Sequence, residues 1–301
     1  MNQGWIYREK VTQQADGCSV LDYYANRYLH SSRSEWQMRI ELGQILLDGK
    51  PTTSETCLKT GQKLAYHRPP WQEPDVPLNW LTIYEDNEVL VIEKPSGLPV
   101  LPGGGFLENT LVHQLQKHYP KATPLPIHRL GRGTSGLMLL ARSREARAIL
   151  SEQMRLHQIK KIYRTLAIGT NIPDSLTITQ PIGKIPYPYL GYIYAATNEG
   201  LSAQSQCQVL QRRDSTTLLK VQITTGRPHQ IRIHLAAAGY PLYGDPLYDV
   251  GGVPRPINQG KMPVPGDCGY HLHSQQLIFI HPSQDNLINL QSSPPTLLSN
   301  K

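Results

Sequence analysis

The chain has little cysteine, and the four it carries, Cys18, Cys57, Cys207 and Cys268, lie far apart with no C-x-x-C pair. That spacing argues against a zinc site and against a disulfide framework, and points to reduced thiols. An uninterrupted apolar run long enough for a bilayer span is also missing. The opening stretch MNQGWIYREKVTQQADG has no apolar core after its first charges, unlike a secretory leader. A cytoplasmic protein without membrane attachment is therefore expected. Charged residues reach 18% and hydrophobic ones 39%, so a core can be buried and wholesale disorder is disfavoured. Basic residues outnumber acidic ones by 30 to 23, a net charge of +7. Such an excess attracts polyanions, nucleic acid first and acidic membrane surfaces second. Its placement is more telling, because the cations crowd into Arg129–Arg147, Arg155–Arg164 and Arg227–Arg232.

Four parts are legible along the chain. Residues 1–66 read as a small module: VLDYYANRYL and SEWQMRIELG as two short helices, then QILLDGKP as a strand running into an Asp48-Gly49 turn. Leu58 to Tyr66 is expected to return as its partner strand. Residues 67–80 hold four prolines in fourteen positions, which makes a linker, since proline lacks an amide donor and restricts its predecessor. Residues 81–282 form the main domain, and the Ser-, Pro- and Asn-rich stretch 283–301 reads as a flexible tail. Within the main domain, strand patterns outnumber helix patterns without strict βαβ alternation, so a mixed, largely antiparallel α+β sheet with flanking helices is expected. Helices are predicted at 110–119, at 143–156 with Ser143 as N-cap, and at 228–238 with Gly239 as its stop.

Three segments carry chemistry. The first, His128-Arg129-Leu130-Gly131-Arg132-Gly133-Thr134-Ser135-Gly136, is a glycine-rich loop feeding an apolar strand. Glycines let backbone approach a ligand closely, and arginines offer planar forks for phosphate. A Walker loop is excluded, because neither Lys-Ser/Thr nor a helix follows. The second, Thr225-Gly226-Arg227-Pro228-His229-Gln230-Ile231-Arg232-Ile233-His234-Leu235, runs from a strand end into a helix, with Ile231 and Leu235 on one apolar face. Arg227 then stands near the positive end of that helix, a corner suited to an anion or carboxylate. His229 and His234 are five apart and do not share a helical face, so structural hydrogen bonds are expected of them rather than metal ligation. The third, Lys160-Lys161-Ile162-Tyr163-Arg164-Thr165-Leu166, places an aromatic ring beside several cations, an arrangement that serves base stacking next to phosphate binding.

In their order along the chain the three segments resemble the RluA family of RNA pseudouridine synthases. That family is marked by HRLD-x-x-TSG, a K-x-Y strand, TGR-x-HQIR-x-H and a late LH…P strand. The last corresponds here to His271-Leu272-His273-Ser274 through His281-Pro282, and Lys94-Pro95-Ser96-Gly97-Leu98 corresponds to the family's KP-x-G. The resemblance covers residues 80 to 282, and the module before it resembles the S4 RNA-binding unit. It implies cleavage of the uracil N1–ribose C1′ bond, rotation of the base and rejoining through C5, without cofactor or metal. It further implies that Arg129 fills the gap left by a flipped uridine and that Tyr163 stacks on the base. Arg227 would hold the catalytic carboxylate ionised. His128, Arg132, Lys161 and Arg232 would complete the RNA-binding surface. The implied partner is structured RNA, ribosomal or transfer; a monomer is the default expectation.

One position departs from the pattern: where the family has aspartate, this chain has Gly131. Glycine supplies no nucleophile, base or charge. Asp245, in Tyr243-Gly244-Asp245-Pro246, is the nearest motif acid and the candidate substitute, although a structural role is the plainer expectation. Glu145 and Asp249 are weaker candidates. Two readings follow, a synthase with a relocated or substituted acid, and a catalytically inactive RNA-binding protein of the same fold.

Overall fold

The computed structural model describes residues 1–256 and 262–300. The chain divides into two units, Met1–Glu73 with Pro186–Ile193, and Pro74–Ile185 with Tyr194–Lys301.

In the first unit, β1 (Trp5–Lys10) precedes helices α1 (Val20–Arg27) and α2 (Arg33–Glu41), followed by β2 (Ile45–Leu47), β3 (Lys50–Pro51) and β4 (Lys63–Arg68). The strands form an antiparallel sheet in the order β1-β4-β2-β3. Each helix starts where a serine hydroxyl takes up a free amide: Ser19 accepts from Asp22 N, and Ser32 and Glu35 make a reciprocal capping box. Tyr24, Trp36, Ile45, Leu58 and Leu64 make the core between helices and sheet. Both expected helices are present, and β2 pairs with β4 as expected, Ile45 opposite Tyr66, although the return strand starts only at Lys63. The Asp48-Gly49 turn has positive φ at both residues, and it leads into the short β3. Leu58 is buried in the loop before β4 instead of opening a strand. No helix or strand lies between Arg68 and Leu81, along the proline-rich stretch.

The second unit opens with β5 (Leu81–Glu85), β6 (Val89–Lys94), α3 (Leu111–His118), β7 (Leu125–Pro126), β8 (Thr134–Ala141), α4 (Arg144–Arg155), β9 (Lys160–Ile168) and β10 (Ser175–Ile178). A two-stranded ribbon follows, β11 (Ile182–Tyr187) with β12 (Gly191–Ala196), whose tip is the Pro186–Ile193 segment counted with the first unit. Then come β13 (Ser205–Arg212), β14 (Thr216–Ile223), α5 (Gln230–Ala237), the small pair β15 (Tyr248–Asp249) and β16 (Val253–Pro254), β17 (Leu272–Ile280) and β18 (Leu287–Gln291). The large sheet runs β10-β13-β14-β9-β17-β8-β6-β5, with β7 beside β8 and β18 beside β17. Among its described pairings β8–β17 is parallel and the others are antiparallel, so the expected mixed, largely antiparallel sheet is what forms.

Period-two alternation gives this sheet two buried faces. Leu90, Ile92, Met138, Leu140 and Tyr163 point to one face, covered by Leu111 and Leu115 of α3 and Ile231 and Leu235 of α5. Val89, Val91, Leu137 and Leu139 point to the other, covered by Ala146 and Leu150 of α4. The functional motifs lie on the first of these faces.

Two expectations need correction here. The stretch from 283 onward is not a free tail, because Leu287–Gln291 pairs along Gln276–Ile280 of β17 and Leu298 is buried against Leu166 and Leu218. Its alternating Leu-Ile-Asn-Leu-Gln gives a strand that a Ser/Pro/Asn-rich composition conceals. Helix α5 starts two residues later than predicted: His229 sits at φ 56° and ψ 19°, outside helical space, and only after it does the chain turn into the helix. Gly239, at φ +91°, ends it as expected.

Candidate functional site

The glycine-rich loop ahead of β8 is held from behind by the Lys94-Pro95-Ser96-Gly97 segment. Lys94 is buried and donates from Nζ to the carbonyls of Pro95 (2.8 Å), Leu98 (2.9 Å) and Arg132 (3.2 Å). Burial pushes its ammonium down to about 7. The Gly97 amide donates to Arg132 O at 2.8 Å, and Ser96 Oγ to Gly133 O at 2.8 Å. Where β8 leaves this loop it meets β17, and Gly136 is required there. Its φ is +100°, and a Cβ would stand 2.3 Å from Ser274 O.

His128, in the bend between β7 and β8, is half-buried against β8. Its Nε2 accepts the Leu139 amide at 3.1 Å, and burial pushes the ring down to about 3, so it is neutral at physiological pH. Arg129 is exposed, Leu130 is buried, and Arg132 donates from Nε to Cys268 Sγ at 3.2 Å while lying 5.2 Å from the Phe106 ring centroid.

Strand β9 runs between β14 and β17, which brings Tyr163 beside Val221 and Ser274. The ring is buried in the same apolar cluster as Leu130, Ile231, Tyr270 and Leu272, and burial pushes its phenol up to about 12. Two residues earlier Lys161 is also buried, directed at Met154 Sδ (3.4 Å), with its ammonium pushed down to about 8 by burial. A buried lysine is not the phosphate contact that its place in a basic strand predicted.

The third motif departs furthest from expectation. Arg227, half-exposed, donates from Nε to Ser202 O at 3.0 Å, and among the described residues no carboxylate pairs with it. The buried arginine is Arg232. Its Nε and Nη2 donate to Asp245 Oδ2 and Oδ1, both at 2.7 Å, with both side chains almost wholly enclosed. Asp245 Oδ1 also accepts the amides of Leu247 (2.9 Å) and Tyr248 (3.1 Å). With four donors on two oxygens, Asp245 acts as a structural counter-ion, the plainer of the two roles expected of it. Asp249 faces Arg255 at 3.3 Å, and Glu145 is exposed in the first turn of α4. The histidines behave as expected: His234 bonds Ser205 Oγ and Gln180 O, and His229 bonds Tyr248 Oη, all within 2.9 Å.

A residue that no motif flagged completes the site. Tyr270, buried just ahead of β17, lies with its ring 4.1 Å from Arg232 Cζ. Its Oη is 3.4 Å from Thr134 Oγ1. A Cβ built on Gly131 would stand 2.8 Å from that same Oη, and one on Gly133 would stand 2.9 Å from the ring carbon bearing it. The hole left at Gly131 is therefore filled by a phenol.

A family model described as RNA pseudouridylate synthase matches residues 88–237, which takes in the loop, Tyr163 and Arg232. An RNA pseudouridine synthase of Synechocystis sp. is 51% identical over 93% of this chain and 96% of its own. The chain belongs to the RNA pseudouridylate synthase family. RNA pseudouridine synthase 5 of Oryza sativa is 38% identical over 94% of this chain and 84% of its own length. The ribosomal large subunit pseudouridine synthase D of Xanthomonas campestris is 32% identical over 92% and 85%. Among solved structures, human RNA Pseudouridylate Synthase Domain Containing 4 superposes with a TM-score of 0.55 at 26% identity, covering 72% of this chain and 90% of that one.

Within this pseudouridine synthase domain, Gly131 and Arg232 lie against Tyr270, which shares one apolar cluster with Leu130 and Tyr163. The fold leaves Arg227 half-exposed, sets the half-buried His128 against β8 and draws Lys161 into the interior. Tyr270 was missed because it stands in an irregular segment without a motif. The signal for it was indirect: a glycine where a side chain is expected leaves volume that a bulky neighbour must fill.

Proposed function

We propose that this chain isomerises uridine to pseudouridine in structured RNA, taking the target base out of its stack into the region beside Tyr163. The observation that carries this reading is the convergence of three motifs far apart in sequence. Leu130 of the loop, Tyr163 of β9 and Ile231 of α5 share one apolar cluster, with the Arg232 cation at its edge. A flipped base needs an aromatic or apolar slot and a nearby positive charge, and must recover the few kcal/mol that unstacking costs. Exposed Arg129 and half-exposed Arg227 provide a cationic rim for the RNA backbone. The small N-terminal unit acts in this reading as an S4-like RNA-binding module that selects the shape of a ribosomal or transfer RNA stem-loop. Its two short capped helices on a four-stranded sheet support that role.

Mass-spectrometric mapping of pseudouridine in cellular RNA, with and without the gene, tests the reading. One pseudouridine should vanish in the deletion and return with the wild-type chain but not with Tyr163→Phe. A map unchanged by the deletion would refute the enzyme. It would leave the second reading, an inactive RNA-binding protein, which is favoured by Gly131 having no carboxylate and Asp245 being fully engaged.

A further inference from the structure

The site has a polar group that neither its motifs nor its expected chemistry assigns. Position 131 has no side chain, Asp245 is saturated by Arg232 and two amides, and no carboxylate among the described residues pairs with Arg227. The atom nearest to where a side chain at 131 would begin is Tyr270 Oη, 2.8 Å from the Cβ that Gly131 lacks. At that separation a side chain at 131 and the phenol exclude one another. The phenol is also well placed. Its ring packs on the Arg232 guanidinium, itself fixed by Asp245, and its oxygen is steadied by Thr134 Oγ1.

We propose that the Tyr270 phenol is the nucleophile and proton carrier of this chain, acting from the place that Gly131 leaves open. The inference rests on the synthase reading above. Tyrosine serves as a glycosyl nucleophile elsewhere in glycoside chemistry, so the role is within its reach. Each atom is accounted for. Tyr270 Oη attacks ribose C1′ as the N1–C1′ bond breaks, and the electron pair leaves with N1, which takes the phenolic proton. The freed uracil turns so that C5 faces C1′. C5 then attacks C1′, the Oη–C1′ bond breaks, and the phenolate takes the C5 proton. Pseudouridine and the neutral phenol result, with no oxidant, metal or further reactant. The Arg232 cation beneath the ring favours the transient phenolate, while burial keeps the resting phenol protonated and able to deliver its proton to N1.

The test uses the purified full-length chain on total RNA from a strain lacking the gene, with pseudouridine formation followed by mass spectrometry. Tyr270→Phe keeps the ring and its packing on Arg232 and deletes only Oη. It should slow pseudouridine formation about 100-fold or more, while thermal midpoint and RNA affinity stay near wild type. Gly131→Ala keeps Tyr270 but inserts the Cβ that displaces Oη, and should lose about 100-fold in rate, because ångström-scale misplacement is costly. A folded Tyr270→Phe chain working at the wild-type rate overturns the proposal and reduces Tyr270 to a space-filler. Were Tyr270→Phe not to fold, a folded Gly131→Ala chain at the wild-type rate would overturn it equally. A wild-type chain that forms no pseudouridine on this RNA overturns the synthase reading and this one with it. The two failures are thus distinguishable.

Discussion

Arg232 and Asp245 face each other as a buried fork, Nε to Oδ2 and Nη2 to Oδ1, each at 2.7 Å. The fork ties α5 to the segment after it, and it is the platform on which Tyr270 lies. Removing one partner strands the other charge in the interior. Asp245→Ala is therefore expected to cost about 3–5 kcal/mol of stability, because Arg232 is left uncompensated and two amides lose their acceptor. Replacing both residues by apolar ones of similar volume should cost much less than Asp245→Ala alone. Urea denaturation of the single and double variants decides the matter. A loss below about 1 kcal/mol for Asp245→Ala would mean that the fork does not carry the load assigned to it.

Arg129 should behave differently, since it is exposed and its loss leaves no buried charge behind. Arg129→Ala is expected to leave the melting midpoint unchanged and to weaken RNA binding. It should also reduce the slope of log K against log salt by about 0.7–0.9, the contribution of one phosphate contact. Lys161→Met serves as the contrast. Lys161 is buried beside Met154, so its removal should leave the salt slope as it was. Binding titrations at several salt concentrations measure both. Equal slopes for wild type and Arg129→Ala would remove Arg129 from the contact surface.

That contrast marks how far the residues alone could be read. Alternation and turn signals point to β8, β9 and β14 and to the helices, because those patterns depend only on neighbours in sequence. They could not tell Arg227 from Arg232. Both stand in one short motif, and which of them is buried depends on His229 taking a left-handed conformation that delays the helix. The family resemblance implies RNA contacts for Lys161 and His128, yet burial pushes both toward their neutral forms. β1 was missed because WIYREK carries charges and contributes mostly exposed residues to an edge strand. Tyr270 was beyond sequence reach, since its closeness to Gly131 joins positions 139 residues apart.

The neutral His128 gives the protein a predictable acid response. The unfolded imidazole takes a proton near its ordinary value of 6.5, whereas the folded ring, accepting the Leu139 amide, takes one only near 3. Between these values the unfolded state holds one more proton. Stability from this group is thus intact above about 6.5 and falls as pH drops toward 3, by about 1.4 kcal/mol per pH unit. His229, also pushed down to about 3, acts in the same direction. His128→Asn keeps an acceptor but cannot titrate, so the stability difference between wild type and variant should shrink steadily below pH 6.5. Denaturant unfolding between pH 7.5 and pH 4.5, of which ~2 units lie on the slope above, reads it directly. Parallel stability curves for the two proteins would contradict the neutral assignment.

Gly131 and Tyr270 should also reveal themselves as a pair through stability, independently of any activity. A Cβ at 131 would stand 2.8 Å from Tyr270 Oη, closer than real Cβ contacts allow. The phenol cannot simply withdraw, because its ring is buried against the Arg232 guanidinium. Gly131→Ala is therefore expected to destabilise the protein by about 1–3 kcal/mol through overpacking. In a Tyr270→Ser background the obstructing ring is gone and the same substitution should be close to neutral. The resulting double-mutant cycle should give a coupling of about 0.5–3 kcal/mol, with the double variant less impaired than the sum of the single ones. The φ of Gly131 lies outside the left-handed range in which glycine is required, so backbone strain does not compete as an explanation. Strict additivity would mean that the two residues do not compete for the same space, and the matched hole and phenol would have to be abandoned.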